Sequence, residues 1–466
     1  MSEILSSVEH LLKEVPLCST CLGRQFAQLL SGTNNKNRGE SLIYALGMSL
    51  HLKIINQEIS LKEIESLLRI PHPAFQDSYQ KIASSAVMLG LSDNPMDPSP
   101  ELVLKSFPLQ QPCYICQGNL DKENITFFSN MIIGLASQYE FASYLVGSKI
   151  PTDMIEREEN IRAKFNLLHG ESIKSDFNRE IGKKIQEELI FKEKELDFNS
   201  PDIVFVANII DKMIEIQNNP LFIYGKYNKL KRGIPQTVWY CNSCWGKGCE
   251  KCDYTGRKHP DAIEEFILPY LIQACKAKSG KFHGSGREDV DARMLGDGRP
   301  FVAQINEPKI RNIQLTQVEQ KIRENANGKV EVILKEFTDR KRVRWIKGHS
   351  SKMGKRYKMG ILFQTPQVID LNLVNKLIGE IEQQTPTRVL RRRADLKRIK
   401  QVFSILARQI DDLHLEVEIF CSGGLYVKEL MHGDNGRTKP SLSEILGNIP
   451  IIVEYLDVLE VVESNK

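Results

Sequence analysis

Apolar residues recur at helical spacing in VEHLLKEV, GESLIYALGMSL and LKEIESLL, which predicts helices over residues 1 to about 70. Pro and Asp punctuation at NPMDPSPE (94–101) breaks that pattern, and a mixed apolar stretch, NITFFSNMIIGLA, follows. FASYLVGSKIP reads as a strand ending at a Gly/Pro turn, and PDIVFVANII (201–210) as a buried strand rich in β-branched residues. Between them the stretch from Pro151 to about Leu189 is helical and highly charged. Beyond residue 260 short strands and helices alternate: RPFVAQINEP, KVEVILKEF, KMGILFQTP, LNLVNKLIGEIEQQ, HLEVEIFCSGG and IIVEYLDVLEVV. That alternation is an α+β pattern.

The chain has 466 residues, enough for two or three domains of roughly 100–200 residues each. The boundary falls between about 220 and 260, where a compact cysteine cluster interrupts the pattern. This gives an N-terminal domain at 1–235, a knuckle or linker at 236–260 and a C-terminal domain at 261–466. An apolar content of 41% supports proper cores and argues against disorder. The N-terminus reads as an amphipathic helix rather than a signal, and no apolar run spans a bilayer, so a soluble cytoplasmic protein is expected.

Eight of the ten cysteines form four CxxC pairs, a pattern that points to metal in a cytosolic chain. In CNSCWGKGCEKC, Cys241, Cys244, Cys249 and Cys252 place four thiolates on two tight knuckles, with Gly246 and Gly248 allowing the sharp turn. A closed four-thiolate zinc site leaves no position for chemistry, so its role is structural. The segment resembles one repeat of the zinc centre of J-domain co-chaperones, which carry several. Cys18 and Cys21 lie far from Cys113 and Cys116, and a single shared zinc would staple the N-terminal region together. The competing readings are a redox pair in the first case and ordinary buried cysteines in the second.

The net charge of +4 is too mild to imply a nucleic-acid partner, so placement matters. Two basic runs lie in the C-terminal half. TDRKRVRWIKGHSSKMGKRYK (338–358) carries Trp345 and Tyr357, and TPTRVLRRRADLKRIK (385–400) carries Arg388, Arg391, Arg392 and Arg393. Single charge runs are usually solvated faces. Two in one domain, one interleaved with aromatics, suit an RNA backbone with unstacked bases.

HGSGREDVDARMLGDGRP sets Asp289 and Asp291 between Arg287 and Arg293 in a glycine-rich loop. An Asp beside Arg stays ionised at neutral pH, which suits a nucleophile or an electrostatic stabiliser. A solvated turn is the bland alternative. A metal site using Glu288, Asp289 and Asp291 is a third, disfavoured by the flanking arginines.

The segment GSGREDVDARMLGDGRPFVAQINEP resembles the catalytic segment of the Pus-ten family of archaeal and eukaryotic tRNA pseudouridine synthases, including the G-R-x-D core. NPLFIYGKYNKLKRGIPQTVW, RYKMGILFQTP, TPTRVLRRRAD, GGLYVKELMHGDNGRTKPSLSEILG and, towards the N-terminus, EREENIR and GESIKSDFNREIGK are similar to the family as well, so the likeness spans most of the chain. It implies a C-terminal pseudouridine synthase fold, a mixed and mainly antiparallel sheet with flanking helices. It also implies an N-terminal, zinc-stapled, THUMP-containing α/β domain that grips tRNA, with Lys174, Arg179 and Lys183 as candidate contacts. It places the family's nucleophile on Asp289, and it puts substrate contacts on Tyr357, Tyr426 and Arg287, with Arg391 of the second basic run as a further candidate.

The implied reaction is isomerisation of uridine to pseudouridine at positions 54 and 55 of the TΨC arm. The base is flipped out, and no organic cofactor and no obligate protein partner are required. Asp289 could attack C1′ or C6, or abstract the 2′ proton; the sequence leaves these routes open. The rival readings are a zinc-stapled tRNA-binding scaffold without turnover, and a THUMP-linked methyltransferase or thiolase. No cofactor-binding glycine motif or ATP loop supports either enzyme.

Overall fold

The computed structural model describes residues 3–59, 112–349, 353–391 and 393–462. The predicted helix in LKEIESLL and the NPMDPSPE punctuation lie outside them. The chain divides into two compact units, Met1–Gln217 and Asn218–Lys466.

The first unit is α/β. Strands β1 (Ser143–Lys149), β2 (Glu195–Leu196), β3 (Ile203–Asn208) and β4 (Met213–Asn218) form a sheet in the order β2-β1-β3-β4. β1 runs parallel to both β2 and β3. Parallel neighbours need crossovers, and the helices Thr152–Phe165 and Ile173–Gln186 supply the connection after β1. The second helix begins on Ser172, whose side chain accepts from the Ser175 N–H, and it buries Ile173, Phe177, Ile181 and Ile185 along one stripe. The mixed apolar stretch forms the helix Lys122–Ala136, with Phe128 meeting Phe177 edge to face at 5.7 Å.

The second unit is built on a 10-stranded sheet. Its strands are β5 (Leu221–Lys229), β6 (Ser279–Gly284), β7 (Arg293–Asn306), β8 (Val330–Thr338), β9 (Gly354–Phe363), β10 (Gly379–Gln384), β11 (Lys397–Gln409), β12 (His414–Cys421), β13 (Thr438–Lys439) and β14 (Ile451–Val462). The order is β13-β10-β11-β12-β9-β14-β7-β5-β8, with β6 on β7. Among the described residues its pairings are antiparallel except β14 with β7, where Asp457 opposes Arg293 and Val458 opposes Met294. That short parallel seam joins two halves with separate cores, one around Ile223, Phe301 and Ile267, the other around Met359, Ile381 and Val417.

The sequence boundary at 235 placed 221–235 with the N-terminal domain. β5 is instead an interior strand of this sheet, between β7 and β8. Its lysine-rich end imitates a linker, yet Tyr227 and Lys229 are fully buried. Within the first basic run, the helix Arg340–His349 buries Val343 and Ile346, stacks Arg342 over Tyr224 and Trp345, and exposes Arg340, Lys341, Arg344 and Lys347.

Candidate functional site

The loop 285–292 lies at the seam, and buried side chains from β5 and β7 fasten its backbone. Tyr227 donates its hydroxyl to both Glu288 oxygens, at 3.0 and 2.9 Å. Arg299 reaches Glu288 Oε2 at 2.7 Å and Lys229 lies 3.8 Å from Oε1. These side chains are almost completely enclosed. Burial would raise the Glu288 pKa, but Arg299 and Lys229 outweigh it and hold the carboxyl below its usual value. Lys229 also donates to the carbonyls of Ile234, Asp289 and Val290 at 2.9, 3.0 and 3.1 Å. Gln236 donates to Tyr227 and to the Gly286 carbonyl, and Arg299 to the Ser285 carbonyl at 3.0 Å. Gly286 turns the chain at φ +72, a conformation that costs glycine nothing. Glu288 is thus the downward anchor, and Asp289 points up.

Removing that anchor strands two buried cations. Glu288→Gln is expected to cost about 3–5 kcal/mol of stability, read by chemical denaturation of the full chain. A loss below about 1 kcal/mol would mean that the anchor is not needed.

The Asp289 side chain is 38% exposed. Its neighbours are Arg388 at 3.3 Å and Lys428 at 3.9 Å. Arg287 and Arg293 flank it in sequence but are not its charge partners. Arg293 forms a 2.6 Å ion pair with Asp457, which also takes Arg232 at 2.6 Å, because both arginines face the seam. Arg287 is exposed and makes no ion pair or hydrogen bond among the described residues. Lys428 bonds Asp291 at 2.6 Å; desolvation would raise that carboxyl, and Lys428 brings it below its usual value. Arg388 is braced by Glu429 at 2.6 Å, a side chain only 2% exposed.

Tyr426 caps the helix Val427–His432, which carries Lys428 and Glu429. Gln383 holds it by accepting from its N–H at 2.8 Å and donating to its carbonyl at 3.0 Å. The Tyr426 hydroxyl accepts from Arg393 at 2.8 Å, and the Arg388 guanidinium lies 6.0 Å from its ring. Tyr357, on β9, packs against the second-half core and the seam residues Met294 and Val458. Burial raises its pKa, and the nearby Cys421, Asp289 and Glu288 add to the rise. The structure therefore brings Asp289, Tyr357, Tyr426, Arg388 and Lys428 together. Arg391 is exposed, on the same turn as Arg388 but without a contact to Asp289 among the described residues.

In the first unit, Arg179 is committed to ion pairs with Glu171, Asp176 and Glu180, and Lys183 pairs with Glu180 at 3.2 Å. Of the three cations expected there as tRNA contacts, Lys174 alone makes no ion pair among the described residues.

Both cysteine groups converge. The Sγ atoms of Cys18, Cys21, Cys113 and Cys116 all lie within 4.8 Å of one another, as do those of Cys241, Cys244, Cys249 and Cys252. The Cys18–Cys116, Cys244–Cys252 and Cys249–Cys252 separations are 3.7, 3.8 and 3.7 Å. Four thiolates about 2.3 Å from a zinc ion sit about 3.8 Å apart at the corners of a tetrahedron, so either set could hold a metal ion. No disulfide joins them. Gly248, at φ +88, is required in the knuckle because a Cβ there would lie 2.7 Å from the Tyr254 carbonyl oxygen. No helix among the described residues is long and apolar enough to cross a membrane.

The family model described as Pus10, C-terminal, matches residues 222–462, and that described as Pus10 THUMP domain, archaeal, matches residues 128–208. A Methanocaldococcus jannaschii protein named tRNA pseudouridine synthase Pus10 is 40% identical over 468 residues, covering 98% of this chain and 94% of that protein. Proteins of the same name from Methanothrix thermoacetophila and Methanopyrus kandleri are 35% and 36% identical, each over 99% of this chain and over 95% and 99% of their own lengths.

Proposed function

The chain belongs to the Pus10 family of tRNA pseudouridine synthases, and we propose that it isomerises uridines 54 and 55 of the TΨC arm, with Asp289 as the nucleophile. The observation that carries the assignment to Asp289 is its placement. Its carboxylate reaches solvent from a loop whose backbone is fastened below, beside the two cations Arg388 and Lys428. Pre-set partners of this kind stabilise a carboxylate without reorganisation during the reaction.

The target base is stacked in RNA and is extruded at a cost of roughly a few kcal/mol. Tyr357 and Tyr426 line the pocket that receives it, and Tyr357 orients the ring. Arg287 and Arg391, exposed and unpaired within the described residues, are free to meet phosphate. The exposed cations of the helix Arg340–His349 extend that basic surface. The THUMP-containing N-terminal half supplies grip on tRNA outside the site. Both four-cysteine groups hold structural zinc, which the soft thiolate set favours. A scaffold without turnover would have no use for an exposed carboxylate so firmly positioned.

Two tRNA transcripts test the positions, one with cytidine at 54 and one with cytidine at 55. Each is expected to lose one pseudouridine mark and keep the other. Marks outside the TΨC arm would overturn the assignment.

A further inference from the structure

Lys355 is a buried cation without a counter-ion of its own. It is 8% exposed, and it makes no hydrogen bond or ion pair among the described residues. The side chain is enclosed along its stem, as a lysine at the edge of a core usually is. It lies two residues before Tyr357 on β9, and side chains at i and i+2 of a strand share a face. In register it pairs with Cys421 of β12 and Val461 of β14.

The charged and titratable groups that act most strongly on it are Arg299 from β7, Cys421 from β12, Glu288 from the loop and Lys400 from β11, and Tyr357 shares its strand face. None supplies a free negative charge. Glu288 is already taken by Arg299, Lys229 and Tyr227. Burial pushes the Cys421 thiol up to about 12, so it stays neutral. Lys400 is itself a cation and donates to the Gly423 carbonyl at 2.9 Å. Burial pushes the Lys355 ammonium down to about 8, with Arg299 adding to the effect. An unpaired cation in such surroundings is costly, and an anion arriving beside it removes the cost.

We infer that Lys355 is a further catalytic residue: its ammonium donates to a carbonyl oxygen of the flipped uracil and stabilises the negative charge of the detached base. This rests on the pseudouridylation reading above. Whatever bond Asp289 makes first, the C1′–N1 bond breaks and its electron pair stays on the base. That pair spreads onto O2 and O4, where a fixed cation has most effect. The C5–C1′ bond then forms, the C5 proton leaves, and N1 regains a proton, so the step is a balanced isomerisation with no co-reactant.

The test is the single-turnover rate on unmodified tRNA for wild type, Lys355→Met and Lys355→Arg, at pH values from about 6 to 9.5. Wild type is expected to slow as pH rises through about 8, where the ammonium is lost. Lys355→Met is expected to bind tRNA normally and react about 10²-fold more slowly. Lys355→Arg is expected to recover to within about tenfold of wild type and to lose the limb near pH 8, since guanidinium does not titrate there. A separate limb at higher pH, common to all three proteins, belongs to N3–H of the uridine and is distinct from the limb near pH 8. If Lys355→Met reacts at nearly the wild-type rate, or Lys355→Arg keeps the limb, the inference fails. If the methionine variant does not fold, the pH profile of the arginine variant decides. A wild type that makes no pseudouridine removes the reading beneath it instead.

Discussion

Asp289→Asn is expected to bind tRNA as tightly as wild type and to form no pseudouridine, a loss of at least about 10⁴-fold in single-turnover rate. The substitution keeps the side chain's size and its hydrogen-bonding reach to Arg388 and Lys428. It removes the charge, and an amide is neither nucleophile nor base. The fold has little stake in that charge, because the side chain is 38% exposed and its nearest cation stands at 3.3 Å. Stability should change by less than about 1 kcal/mol. The contrast with Glu288, the preceding residue, is the useful control. Glu288→Gln strands Arg299 and Lys229 and weakens the fold, whereas Asp289→Asn leaves a stable, silent protein. An Asp289→Asn protein that still marks tRNA would remove Asp289 from the chemistry.

Cys116→Ser is expected to unfold much of the Met1–Gln217 unit. Cys18 and Cys21 flank the start of the helix Ser19–Arg24, while Cys113 and Cys116 come from a distant part of the chain. Cys21 and Cys116 are buried within the core cluster of that unit, so a metal there closes a long loop into the core. Structural zinc contributes about 10–16 kcal/mol in small folds, more than the whole stability of most domains. Cys252→Ser should act locally, since all four cysteines of its group lie within residues 241–252. Metal analysis with calorimetry checks both: two zinc ions per wild-type chain, one in each variant, and loss of a melting transition in Cys116→Ser alone. A Cys116→Ser protein with two metal ions and an unchanged melt would dismiss the N-terminal site.

Much of the fold was legible because alternation survives in strands with one covered face, as in β1, β8 and β12. β11 was missed for the opposite reason. Ile399, Phe403 and Leu406 are 61%, 49% and 70% exposed, and a register shift between Val402 and Ser404 breaks the period. β5 was assigned to the wrong domain because Lys229 looks like linker chemistry, and only the fold supplies the carbonyls that let it be buried. The loop itself stood out through its glycines and paired carboxylates. Its charge partners did not, since pairing depends on the seam: Arg388 and Lys428, not the adjacent arginines, face Asp289. Lys355 carried no signal beyond one more cation in a basic run. The Cys18, Cys21, Cys113 and Cys116 group was legible as paired CxxC spacing, and the fold brings the two pairs close enough to hold a metal ion.

The measurement that bears hardest on this reading is carbodiimide mapping of one unmodified tRNA transcript after a single turnover with the wild-type chain. Pseudouridine at 54 and 55, and nowhere else, is the expected result. A transcript that is bound and carries no mark in the TΨC arm would contradict it.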